Sequence, residues 1–256
     1  MEHIKKFGQN FLQNQLALEK IVEVLEINKN EIILEIGGGS GNLTKEILKK
    51  TDNLIVIEKD RRLINELKKL SDSRNFIVVE GDCRDVLPVI TKKLKNYKIC
   101  GNIPYYLTGQ LLKIIQELEC LPQTVIFTIQ KEVAERIIGE KKENQLSIIT
   151  KLWAEPKIVM DLKAKDFFPQ PKVDSRVIKL LILPKEKRIK NEKEMIDLIK
   201  IGFLAPRKTL NNNLSSKFDK NIIKNAFQEL NLSEKIRAHD LSIIMWINLA
   251  KILLDS

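Results

Sequence analysis

The feature that most constrains the fold is an alternation of short, β-branched apolar runs with segments of helical period. Residues 16–27 carry an amphipathic helical pattern, and Ile32-Ile33-Leu34-Glu35-Ile36 follows as a buried-strand run. A helical pattern from Leu43 to Lys49 leads to a strand at Leu54-Ile55-Val56-Ile57. A helix over Arg61–Leu70 then leads to a strand at Phe76-Ile77-Val78-Val79. A fourth strand ends at Ile99–Gly101, and a fifth covers Thr124–Ile129. Helical patterns at Lys131–Ile138 and Asn144–Leu152 precede strands at Lys157–Leu162 and Ser175–Leu183. This order predicts an α/β fold with a parallel, doubly wound sheet. Such sheets bind ligands outside the carboxyl ends of their strands, so the residues just after each strand are the ones to inspect.

The pattern changes at Pro184-Lys-Glu-Lys-Arg-Ile-Lys190, a short charged segment opened by proline. The expected organisation is an α/β domain over 1–183, a linker over 184–193 and a small all-helical domain over 194–256. The 73 residues from Pro184 hold 14 Lys and Arg against 9 Asp and Glu, a denser positive charge than in the first 183. The whole chain carries +10, which suits a polyanionic partner, nucleic acid foremost. Cys83, Cys100 and Cys120 are odd in number and lack CxxC spacing, which argues against disulfides or a zinc site and for a reducing cytoplasm. With His3 and His239 the only histidines, neither a His-based triad nor a metal site is expected. No signal-peptide core opens the chain and no run of about 18 apolar residues occurs, so no membrane association is expected.

Glu35-Ile36-Gly37-Gly38-Gly39-Ser40-Gly41 closes the first strand and opens a helix. Glycine there lets the backbone approach a ligand closely. The spacing is G-x-G-x-G, not the G-x-G-x-x-G of dinucleotide binders, and no Gly-Lys-[Ser/Thr] follows to make a P-loop. The loop suits S-adenosylmethionine, which has no pyrophosphate and whose methionine end would lie along Gly37 and Gly39; a purely structural turn is the plainer alternative. Glu58 ends the second strand, where an acid accepts hydrogen bonds from ribose hydroxyls. Asp82 follows the third strand, placed to accept from the adenine amine of the cofactor. Each acid alone reads as a solvated surface group; their succession along one rim points to a ligand.

Asn102-Ile103-Pro104-Tyr105 follows the fourth strand on that rim and has the [N/D]-[P/I/L]-P-[Y/F] form found where an exocyclic base amine is methylated. Such an amine is a poor nucleophile because its lone pair is delocalised into the ring. The Asn102 side-chain oxygen and a turn carbonyl can accept both amine hydrogens, localise the lone pair and aim it at a methyl sulfonium. Neither a strong base nor a metal is then required. Pro104 fixes the turn, and Tyr105 offers a stacking face for an extruded base; a buried turn with a packing tyrosine is the alternative. Phe167-Phe168-Pro169-Gln170-Pro171 is a further candidate for covering the base, with core packing equally open.

These residues, with Phe7-Gly8-Gln9-Asn10-Phe11-Leu12, Gln130–Glu135, Pro171–Ser175, Arg207–Leu214 and Arg237–Ser242, resemble the KsgA/Erm family of ribosomal RNA adenine N6-dimethyltransferases. The resemblance covers nearly the whole chain and is closest to the KsgA/RsmA-type branch, which modifies small-subunit rRNA. It implies a Rossmann-like methyltransferase sheet with a small helical C-terminal domain. It also implies S-adenosylmethionine contacts at Asn10, Leu12, Gly37, Glu58, Asp82 and Asn102, with a catalytic turn at Asn102, Pro104 and Tyr105. The implied product is N6,N6-dimethyladenosine at two adjacent adenines near the 3′ end of 16S rRNA, made in the cytoplasm on the small subunit or its precursor by a monomer. The basic tail is expected to grip rRNA phosphates, with Arg207 and Lys208 the candidate contacts. Alternatives are an Erm-type enzyme acting on 23S rRNA, which confers macrolide resistance, an assembly checkpoint acting mainly by binding rRNA, and a DNA adenine methyltransferase. The chain departs from the branch at Ile103, at Tyr106, where Asn is common, and at Lys142–Ser147, which lacks a Tyr-Gly pair.

Overall fold

A computed structural model describes residues 10–254; the expected signature residues Phe7, Gly8 and Gln9 lie outside them. Along the chain the elements are β1 (Phe11–Leu12), α1 (Gln15–Leu25), β2 (Ile32–Ile36), α2 (Asn42–Leu48), β3 (Leu54–Glu58), α3 (Arg61–Lys68) and β4 (Phe76–Glu80). There follow α4 (Cys83–Ile90), β5 (Tyr97–Asn102), α5 (Thr108–Gln116), β6 (Thr124–Gln130), α6 (Lys131–Ile138) and α7 (Gln145–Lys151). The remainder is β7 (Ala154–Leu162), β8 (Phe167–Phe168), β9 (Ser175–Ile182), α8 (Glu192–Gly202), α9 (Leu210–Leu214), α10 (Lys220–Glu229) and α11 (Ile243–Leu254).

The strands form a seven-stranded sheet in the order β4-β3-β2-β5-β6-β9-β7. β4, β3, β2, β5 and β6 are mutually parallel, Leu34 lying opposite Ile55 on one side and Ile99 on the other. The expectation of a parallel sheet holds for these five, but β9 runs antiparallel to β6, with Phe127 opposite Ile178. An apolar run records burial and not strand direction, so the pattern gave no warning of the reversal. Ile33, Leu34, Val56, Ile99 and Phe127 are fully buried, as inner strands covered on both faces require.

Helix α1 buries Ala17, Leu18, Ile21, Val22 and Leu25, an i, i+3, i+4 stripe, in the same apolar cluster as Ile33 and Val56. Its N-cap, Asn14, accepts from the Ala17 N–H at 3.2 Å and donates to Asp166 at 3.0 Å. Just before it, β1 pairs antiparallel with β8, Phe11 opposite Phe168 and Leu12 opposite Phe167. That pairing lays the N-terminal segment beside the glycine loop.

The chain divides into two compact units, and the division departs from the expected one. The first holds the chain up to Ala134 with Lys157–Ile182; the second holds Glu135–Pro156 with everything from Leu183. Glu135–Pro156, expected in the α/β domain, thus joins the helical tail. Within the second unit Trp153 and Trp246 are fully buried, and Phe203 stacks on Trp246 with ring centroids 5.8 Å apart. The buried Asn213 amide donates to the Gly202 and Ala205 carbonyls at 2.6 and 3.2 Å, tying α9 to the end of α8. In the departing stretch 142–147, Asn144 caps α7, accepting from the Leu146 and Ser147 N–H groups, while Glu143 pairs with Lys151 and accepts from the Ser147 hydroxyl. The segment expected as a linker contains the 3-10 turn Lys185–Lys187.

Candidate active site

A cleft opens at the carboxyl ends of β2, β3, β4 and β5. Asn10, Gly37, Gly39, Glu58, Asp82, Asn102, Pro104 and Tyr105 all line it. Leu12 does not: it is 4% exposed and borders a smaller adjoining cavity with Gly37 and Gly39, while its carbonyl accepts from the Asn42 amide at 2.8 Å. Arg207 and Lys208 belong to the second unit, exposed in the turn between α8 and α9.

Gly37 and Gly39 have φ of 76° and 55°, in the left-handed region that disfavours side chains. A Cβ on Gly39 would also meet the Phe11 ring at 2.9 Å. The Glu58 carboxylate holds this loop. One oxygen accepts from the Gly39 N–H and the other from the Asp60 N–H, both at 2.8 Å. Two bonds leave about half of a carboxylate's roughly four acceptor positions for a ligand.

Beneath the loop, Glu35 is fully buried, and its carboxyl accepts from the Thr44 hydroxyl at 2.6 Å. Loss of hydration pushes it up to about 8; the Thr44 hydrogen bond opposes this and repulsion from Glu58 adds to it. Glu35 was legible in the loop sequence, but nothing in the pattern signalled a carboxyl held neutral at pH 7.

Asp82 lines the cleft from the end of β4. It caps α4, and one oxygen accepts from the Arg84 N–H and Nε at 3.0 and 2.9 Å. The other accepts from the Arg84 guanidinium at 2.6 Å and from Lys59 Nζ at 2.9 Å. Arg84 foremost, with Lys59, holds this carboxyl far below the usual carboxylate range. Four donors fill the roughly four acceptor positions a carboxylate offers. Asp82 thus braces Lys59 and Arg84.

The turn after β5 is arranged otherwise. Asn102 Nδ2 donates to the Asn10 carbonyl at 2.6 Å, and among the described residues its Oδ1 accepts no hydrogen bond. The Ile103 N–H donates to the Thr128 carbonyl at 3.1 Å, and the Pro104 carbonyl accepts from the Leu107 N–H at 2.9 Å. Tyr105 is half-buried, its hydroxyl 2.9 Å from that of the buried Ser175. Burial foremost raises the Tyr105 phenol above its ordinary value, so it stays protonated at neutral pH and its ring is a surface and not a base. Behind the turn, Gly101 has no room for a side chain: a Cβ would lie 2.4 Å from the Ile36 carbonyl oxygen. Ser175 was not singled out by sequence; it closes the Pro171–Ser175 stretch, 70 residues from Tyr105.

The sequence pattern of the family described as Ribosomal RNA adenine dimethylase matches residues 2–255. The chain belongs to the ribosomal RNA adenine dimethylase family. Among the dimethylase's relatives, a protein named Ribosomal RNA small subunit methyltransferase A from Ureaplasma parvum is 38% identical, covering 96% of this chain and 91% of its own. A protein of the same name from Nostoc is 36% identical, with 97% of each chain covered. The crystal structure of a dimethyladenosine transferase from Plasmodium falciparum superposes with a TM-score of 0.81 at 28% identity, covering 93% of this dimethylase and 95% of that chain. The 23S rRNA methyltransferase ErmE, at 23% identity and a TM-score of 0.80 over 96% of this chain and 100% of its own, shares the fold. The dimethylase is thus an enzyme with a Rossmann-like methyltransferase sheet, as its sequence led one to expect.

Proposed function

We propose that the enzyme dimethylates the N6 amines of two adjacent adenines near the 3′ end of 16S rRNA, in the small subunit or its precursor. The observation that carries the reading is the Asn102 amide at the cleft wall, tethered at its nitrogen by the Asn10 carbonyl while its oxygen accepts no hydrogen bond among the described residues. S-adenosylmethionine supplies a methyl group already activated as a sulfonium. The residues present fit it: Gly37 and Gly39 give close backbone approach, and Glu58 keeps acceptor capacity for ribose hydroxyls. Asn102 Oδ1 and the Ile103 carbonyl, both in residues lining the cleft, accept the two amine hydrogens. Tyr105 stacks on the extruded base, its ring held by Ser175. Asn10 steers Asn102, and Leu12 supports the loop from behind. Arg207 and Lys208, exposed on the basic tail, contact rRNA phosphates. The enzyme works as a monomer in the cytoplasm.

The small-subunit assignment rests on relatives 36–38% identical over nearly the full chain, against 23% for ErmE. The test is transfer of tritiated methyl from S-adenosylmethionine to small subunits lacking adenine dimethylation, with large subunits in parallel and nucleoside analysis. Dimethyladenosine in small-subunit RNA alone is expected. Label confined to large-subunit RNA would assign the chain to the 23S-directed enzymes instead.

A further inference from the structure

Tyr106 has no part in the chemistry above. It is a large aromatic left 63% exposed at the cleft rim, at a position where the chain departs from its branch. It sits in the 3-10 turn Tyr105–Leu107 after β5. Lys59 lines the same cleft from the end of β3, and β2 separates the two strands in the sheet. The Tyr106 phenol nonetheless lies within electrostatic reach of the Lys59 ammonium. The two residues thus border the cleft from strand ends on either side of β2. On its own wall Lys59 is fixed by Asp82, itself fixed by Arg84.

We propose that Tyr106 and Lys59 form a clasp over the nucleoside end of the cleft, with the Tyr106 ring stacking on the adenine of S-adenosylmethionine and of its product. The inference rests on the cleft being the S-adenosylmethionine site. Two observations favour the cofactor's adenine over the target base as the partner. The aromatic beside Asn102 is Tyr105, already fixed by Ser175, whereas Tyr106 stands exposed at the rim of the cleft that Lys59, Gly81 and Asp82 also line. Asp82, the polar partner expected for that adenine, has its acceptor positions filled, so a stacking surface supplies the hold that a hydrogen bond does not.

The test is calorimetric titration of S-adenosylhomocysteine into the full-length wild type, Tyr106→Ala and Tyr106→Phe, with rRNA KM measured in parallel. Removing the ring is expected to weaken binding roughly tenfold, in keeping with aromatic–base stacking, while Phe stays within about threefold of wild type. The rRNA KM is expected to be the same for all three. Exposure of the side chain makes misfolding of either variant an easily excluded outcome by thermal melting. Unchanged S-adenosylhomocysteine affinity in Tyr106→Ala overturns the clasp, and an accompanying rise in rRNA KM would assign the residue to RNA. A wild-type protein that binds neither S-adenosylhomocysteine nor S-adenosylmethionine would overturn the cleft reading, and the clasp with it.

Discussion

The two sides of the cleft treat their polar side chains in opposite ways. At the β4 end, Asp82 accepts four hydrogen bonds from Lys59 and Arg84 and keeps nothing in reserve. At the β5 end, Asn102 is tied at its nitrogen and open at its oxygen, and Tyr105 is tied at its hydroxyl while its ring lines the cleft. Glu58 lies between these extremes, with two backbone bonds and capacity for more. A side chain whose every position is satisfied internally is built to hold its neighbours. One anchored at a single end is preorganised for something that arrives later, which is the arrangement from which transition-state stabilisation is obtained.

The contrast is broken most directly at Asn102. Asn102→Ala should lower methyl transfer by about 100- to 1,000-fold, the scale of losing one preorganised polar contact. S-adenosylhomocysteine affinity should stay within a few-fold by calorimetry. Near-normal transfer would sink the role given to the open oxygen.

A second prediction uses Glu35, buried under the same loop. Its folded-state value of about 8 lies above the ordinary 4.5, so the folded protein holds this proton more tightly than the unfolded chain. Stability from this group is therefore fully present below pH 4.5 and declines as pH rises toward 8. The slope is at most about 1.4 kcal/mol per pH unit for one proton. Glu35→Gln should flatten that part of the profile in denaturant titrations across the window. Asp82, shifted the other way, gives the opposite sign: its stabilising contribution is present above pH 3.8 and is lost on acidification. Parallel pH profiles for wild type and Glu35→Gln would refute the buried neutral carboxyl.

The smallest effect sharpens the contrast at its other end. Asp82→Ala should cost about 1 kcal/mol of stability through loss of the α4 cap. Cofactor affinity should fall by less than about tenfold if the carboxylate serves the wall through Lys59 and Arg84. A hundredfold loss of affinity at unchanged stability would return Asp82 to the role of a direct ligand.

Much of this was readable in the chain. Strands β2, β3, β5 and β6 fall within a few residues of their apolar runs because inner strands covered on both faces leave an unambiguous signature. The turn at Asn102 was readable because its chemistry resides in residue types at fixed spacing. Helix α4 is masked in the sequence because Pro88 within it reads as a breaker. The two-residue strands β1 and β8 are too short to show a period. Saturation of Asp82 and the Tyr105–Ser175 contact depend on groups brought together by folding, 23 residues apart for Lys59 and 70 for Ser175. Sequence marked which side chains stand at the rim, and only the fold showed which end of each was spoken for.

The tether between Asn10 and Asn102 also bears on when the enzyme becomes active during its own synthesis. The carbonyl that orients Asn102 belongs to a segment positioned by β1–β8 pairing and by the bond from Asn14 to Asp166, 152 residues further along. A growing chain that has already emerged past Asn102 still lacks the strand that seats its guide. The complete arrangement around Asn102 therefore exists only once β8 has been made.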